Sequence, residues 1–80
     1  MEIKSIYENL TPIFQEALDD YGVVPHGDMV ADDVPSWDSL SHVRLIIAIE
    51  DAFSLRFTAE EATSTNNVGE LVAIIARKSG

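Results

Sequence analysis

The stretch that decides the reading is Ser36–Phe53, "SWDSLSHVRLIIAIEDAF". An aspartate and a serine, Asp38 and Ser39, stand where an apolar, helix-like run begins. Helical geometry sorts that run into two stripes. His42, Ile46, Ile49 and Phe53 fall on one face, flanked by Leu45 and Ala52, and form the expected core face. Leu40, Arg44, Ile47 and Asp51 fall on another, with Ser41 and Val43 at its sides. This second stripe mixes apolar and charged residues and begins beside Ser39. Such a face suits transient docking, with apolar contacts for grip and charges for register. An ordinary amphipathic boundary would look the same.

A helix start near Asp38 or Ser39 presents unsatisfied backbone N–H groups and a partial positive charge. It suits a carboxylate cap, for which Asp38 is placed, and it suits a phosphate. Ser39 therefore has three readings: a cap, a nucleophile or an attachment point. The nucleophile reading pairs it with His42. It lacks an orienting third group and a G-x-S-x-G elbow, and a chain this short encloses little substrate.

On either side of this segment the pattern is helical. Ile3, Ile6, Tyr7, Leu10, Ile13, Phe14, Ala17, Leu18 and Tyr21 recur at spacings of three and four, across Pro12. One helix bent at Pro12 and ended by Gly22 is expected, the alternative being a helix that starts with Thr11 as cap. Residues 23–37, "VVPHGDMVADDVPSW", form a long loop, with Val24, Met29, Val30 and Val34 as the expected apolar ties. After Phe53, "SLRF" is a connector. "TAEEA" is a short helix with a capping box from Thr58 to Glu61. A polar loop, "TSTNN", leads to a last helix capped by Asn67 and Glu70, with Val68, Leu71, Val72 and Ile75 on its buried face. The expected fold is all-α: three main helices and one short one, with a long loop between the first two, in a single domain over residues 1–80.

The chain has 80 residues, no cysteine, 46% hydrophobic residues, and fourteen Asp and Glu against five Lys and Arg, for a net charge of −9. The missing cysteine excludes disulfides and thiolate metal sites, so any thiol must come from elsewhere. The acidity disfavours nucleic acid and anionic membranes and favours basic partner surfaces. A calcium loop through Asp28, Asp32 and Asp33 lacks the third-position ligand, the central glycine and the final glutamate, so no metal site is expected. The longest apolar run, Leu45–Ile49, is too short to span a bilayer, and no export signal is visible, which points to the cytoplasm.

"DSL" at residues 38–40, followed by "VRLIIAIEDAF", "LRF" and the final "VGELVAIIARK", resembles the acyl carrier proteins, the phosphopantetheine-binding carrier family. The resemblance covers essentially the whole chain. It implies a carrier and not an enzyme. Ser39 would take 4′-phosphopantetheine from coenzyme A by the action of a phosphopantetheinyl transferase, with Asp38 and Leu40 completing the motif. The arm would supply the absent thiol and hold acyl groups as thioesters for ligases and synthases of a fatty acid, polyketide or specialised lipid pathway. Aminoacyl or peptidyl cargo is an alternative, as is an unmodified docking domain. Trp37, Leu40, Val43, Arg44, Ile47 and Asp51 would meet partner enzymes. His42, Ile46, Ile49 and Phe53 would line the cargo pocket of a monomer. His42 can equally be a core-edge histidine bonded to the long loop. Ser41 and Arg44 stand where fatty-acid-type carriers usually have acids, Arg56 follows just after the helix, Ser54 stands where a glycine is usual, and Trp37 is unlike the usual approach to the motif. These departures resemble discrete carriers of specialised pathways more closely.

Overall fold

The computed structural model describes residues 2–79. Four helices follow one another: α1 (Ile3–Ala17), α2 (Ser39–Phe53), α3 (Ala59–Ser64) and α4 (Val68–Ser79), with a single 3-10 turn at Ala31–Asp33 in the long loop. No strand occurs among the described residues. The all-α architecture is thus the expected one.

Helix α1 runs unbroken through Pro12, which lies exposed on its outer side. The Thr11 hydroxyl donates back to the Tyr7 carbonyl at 3.0 Å, so it does not cap a new helix. The helix stops earlier than Gly22. Asp19 takes the left-handed conformation (φ 52°). Its N–H reaches the Glu16 carbonyl at 3.2 Å, and the Asp20 N–H reaches that of Gln15 at 3.0 Å. This double closure satisfies the last carbonyls. Aspartate is among the few residues besides glycine that visit that backbone region, so no glycine is needed. The next residue shapes the turn that follows: Asp20 Oδ1 accepts from the Gly22 N–H at 3.1 Å. Tyr21, expected on the buried stripe, is past the helix and 71% exposed.

The loop is tied down by Val23, Met29 and Val34, which are buried, while Val24 is exposed and Val30 is only half-buried. In extended chain successive side chains face opposite ways, so turning Val23 and Pro25 inward turns Val24 out. Polar ties matter as much. Loop carbonyls of Gly27 and Met29 accept from Gly69 and Val68 at 3.0 and 2.9 Å. They satisfy two of the N–H groups that the start of α4 would otherwise leave open.

Helix α1 packs against α2 and α4. One core joins Ile6, Leu10 and Phe14 of α1, Leu45, Ile46 and Ile49 of α2, and Val68, Leu71, Val72 and Ile75 of α4. Short α3 is held at its own start by the Thr58–Glu61 capping box, at 3.1 and 2.9 Å. Glu61 also pairs with Arg77 and Lys78 of α4, at 3.0 and 2.9 Å. The Asn67 side chain caps α4 by accepting from the Glu70 N–H at 2.9 Å, while the Glu70 carboxylate accepts from the Asn66 N–H at 3.0 Å.

Candidate functional site

Ser39 is the first residue of α2 and is exposed. Asp38 is the N-cap. Its carboxylate accepts from the Ser41 N–H at 2.9 Å, and its carbonyl accepts from the His42 N–H, also at 2.9 Å. The bond from the Ser41 backbone N–H holds the Asp38 carboxyl below its usual range. Ser41, expected at the edge of the docking stripe, is buried instead, at 8% exposure. Its hydroxyl donates to the Ser36 carbonyl at 2.8 Å, which ties the approach of the chain to the first turn of α2. The attachment candidate thus sits on a fixed corner with its own side chain outside.

Along the outer side of α2, Leu40, Val43 and Ile47 are 62%, 54% and 54% exposed, and Arg44 and Asp51 are exposed among them. The ion pairs found among the described residues join Glu61 to Arg77 and Lys78, so the Arg44 guanidinium has no carboxylate within reach there. Trp37, grouped with this stripe by sequence, turns inward. It is half-buried and meets Phe14 edge-on, with ring centroids 5.4 Å apart and planes at 87°.

His42 lies between Trp37 and α3. Its Nδ1 accepts from Trp37 Nε1 at 3.1 Å, and its Nε2 lies 2.7 Å from the Ala62 carbonyl oxygen. The indole is only a donor, so Nδ1 is the bare nitrogen and Nε2 carries the proton that goes to Ala62. Both nitrogens are engaged away from Ser39. The ring has no free basic atom to offer the serine, and a hydrolytic pair is not assembled.

A cavity of about 550 Å³ opens beside Ser39. Trp37, Asp38, His42 and Val43 line it from the α2 side, Thr63 from α3, Thr65, Asn66 and Asn67 from the loop after it, and Leu71 from α4, with Ala31 completing it. Of the four residues assigned by sequence to a cargo pocket, His42 lines this cavity. Ile46 and Ile49 belong to the core, and Phe53 packs half-buried against it. The Thr65–Asn67 contribution escapes sequence reasoning, which sees only a polar loop. The one local signal was the run of side chains able to hydrogen-bond. Among the described residues no cluster of His, Asp and Glu could hold a metal ion, and no helix is long and apolar enough to cross a membrane.

No family model matches the chain. Among solved structures, a holo acyl carrier protein from Geobacter metallireducens, determined in solution by NMR, superposes with a TM-score of 0.83 at 36% identity. The match covers 90% of this chain and 83% of that one. The chain belongs to the acyl carrier protein family. Its role is accordingly that of a carrier and not of an enzyme. As an acyl carrier protein it works with enzymes that handle acyl groups.

Proposed function

We propose that Ser39 is the attachment point for 4′-phosphopantetheine and that the chain carries acyl or related groups on that arm as thioesters. The observation that carries this reading is the exposed Ser39 at the first position of α2, on a rigid corner and beside a cavity. The related structure from Geobacter is a holo form, which supports a prosthetic group here too. The residues present suit such a group. The helix end offers backbone N–H groups to a phosphate, and the polar Thr65–Asn67 loop offers partners to the amides of an arm folded into the cavity. When bound, the arm supplies the thiol that the chain lacks.

The chain's own part is placement. Asp38, Ser41 and Ser36 fix the corner, and Ser39 Oγ stays accessible to a transferase using coenzyme A. Leu40, Val43 and Ile47, with Arg44 and Asp51 between and beyond them, form the face that activating and synthase enzymes would read next to the arm. The mixed charge of that face favours partners that are not uniformly basic.

Intact mass after incubation with coenzyme A and a broad-specificity phosphopantetheinyl transferase tests the assignment. Wild type gains one phosphopantetheine group, and Ser39→Ala gains none. A wild-type chain that stays unmodified refutes the attachment and leaves a docking domain.

A further inference from the structure

Two opposite charges on the outer face of α2 are left without partners by the fold. A charged side chain on a helix finds its local partners three or four residues away. For Arg44 those positions hold Leu40, Ser41, Ile47 and Ala48, and for Asp51 they hold Ile47, Ala48, Ser54 and Leu55, none of them ionisable. No other element supplies what the helix lacks: among the described residues the ion pairs are those of Glu61 with Arg77 and Lys78. Glu50, the other acid of α2, is half-buried and accepts from the Phe57 N–H at 2.8 Å.

Arg44 is the only Lys or Arg of α2, in a chain of net charge −9. It lies inside an apolar patch and not at its edge. Leu40 and Ile47 precede and follow it on one stripe, Val43 lies beside it, and all three are exposed. Asp51 ends the stripe seven residues after Arg44, about 10 Å along the axis. From the Ser39 end the order is apolar, positive, apolar, negative.

A uniformly basic partner suits the chain as a whole but not this face. Attraction to the acidic chain speeds its approach, yet Arg44 then meets a like charge as water leaves the apolar contact, where repulsion costs most. A second copy of the chain fits the stripe locally, since antiparallel α2 helices would set Arg44 against Asp51 twice, about Ile47. Two chains of net charge −9 repel each other, however, which disfavours that occupant.

We propose that α2 docks a partner protein whose apolar patch carries a carboxylate opposite Arg44 and a cation opposite Asp51, about 10 Å apart, and that Arg44 excludes uniformly basic surfaces. This deepens, and rests on, the reading of the Leu40–Asp51 face as the one that partner enzymes meet. Leu40, Val43 and Ile47 supply the apolar contact, while Arg44 and Asp51 set register and partner choice.

The test uses three synthetic helical peptides that share one leucine face. Two positions seven residues apart on that face hold glutamate and lysine, lysine twice, or glutamate twice. A peptide is free to lie in either direction, so one order of the mixed pair suffices. Binding to isotope-labelled protein is followed through the backbone amide shifts at physiological salt, where distant charges are screened. Expected are shifts along residues 40–51 and an affinity roughly three- to tenfold higher for the mixed peptide than for either other. Arg44→Glu inverts the preference over the lysine peptide, and Arg44→Gln moves it the same way by a smaller factor. Asp51→Lys does the same for the glutamate peptide. Wild type that prefers the lysine peptide overturns the proposal, as do ratios unmoved in folded variants or the absence of α2 shifts with every peptide at millimolar concentration. Sedimentation that shows a dimer broken by Arg44→Glu assigns the face to a second copy and overturns it too. Loading of Ser39 is read on the same preparations by intact mass. A chain that is not loaded but shows these ratios refutes the attachment alone; a loaded chain without them overturns this inference alone.

Discussion

The Trp37–His42–Ala62 chain makes a quantitative prediction about stability. His42→Leu removes both ring nitrogens, and with them the bonds of 3.1 and 2.7 Å. A net protein hydrogen bond contributes about 0.5–1.5 kcal/mol, and both bonds are partly buried, so the loss is about 2 kcal/mol before any gain from leucine packing. A chain of 80 residues has on the order of 4–12 kcal/mol in total, so the loss is substantial. It corresponds to a fall in Tm of roughly 8–16 °C for a domain of this size. Trp37→Phe removes one of the two bonds and some ring contact. If the bond between the two side chains contributes as the geometry indicates, the double variant is less destabilised than the sum of the singles by about 1 kcal/mol. Far-UV circular dichroism in urea is the assay, because Trp37 is the only tryptophan and the cycle removes it. A coupling of zero, or a His42→Leu variant as stable as wild type, refutes the argument.

Ser54 ends α2 in the left-handed conformation (φ 55°, ψ 47°), where a side chain is strained, so Ser54→Gly should raise the urea midpoint by a stability gain of about 0.5–1 kcal/mol. The Glu61 carboxyl is drawn down from 4.5 to about 2, first by the Thr58 N–H and then by Lys78. Its folded state is thus favoured above pH 4.5, and that contribution is lost as pH falls from there toward about 2. Urea midpoints of wild type and Glu61→Gln should accordingly converge across that window, and parallel curves would contradict it. Asp38 is held low by the Ser41 N–H; a phosphodiester on the adjacent Ser39 adds a negative charge that should raise it again. NMR titration of the apo and holo forms reads this directly, and an Asp38 carboxyl that is unmoved or lower on modification counts against attachment at Ser39.

What could be read from the sequence was local. The Asp38 cap, the start of α2 at Ser39, the Thr58–Glu61 box and the buried face of α4 rest on spacings of three or four residues, and each stands as expected. The misreadings share a cause: two local solutions were open and distant packing chose between them. Asp19 and Gly22 both tolerate a helix-ending backbone, and the helix closes at Asp19, through the bonds of the Asp19 and Asp20 N–H groups to Glu16 and Gln15. Val23 and Val24 are equally apolar, but Gln15 donates to the Val23 carbonyl at 3.1 Å, and that fixes the alternation of the segment. Ser41 lay on the outer stripe by periodicity alone, yet the Ser36 carbonyl gives its hydroxyl a buried partner. The least legible part was the cavity. His42 and Ala62 are 20 residues apart, and nothing short-range announces that the loop after α3 faces Ser39.

The helix end does less for the phosphate than the sequence alone suggests, and this has a functional sense. Asp38 already places a carboxylate there, taking the Ser41 N–H that a phosphate would otherwise use. The macrodipole is partly answered before any arm arrives, and a second anion adds repulsion of its own. The first turn therefore specifies where the arm begins without gripping its phosphate tightly. Further hold on the arm would fall to the cavity beside Ser39 and to the polar Thr65–Asn67 loop on its far side, which follows α3, the shortest helix. A group that must be delivered to successive enzymes gains from that division. With the arm on Ser39 as proposed, its covalent root would be fixed, because Asp38, Ser41 and Ser36 lock the corner, while its far end would lie in a cavity that is open beside that corner. Release of the cargo would then leave the α1–α2–α4 core undisturbed.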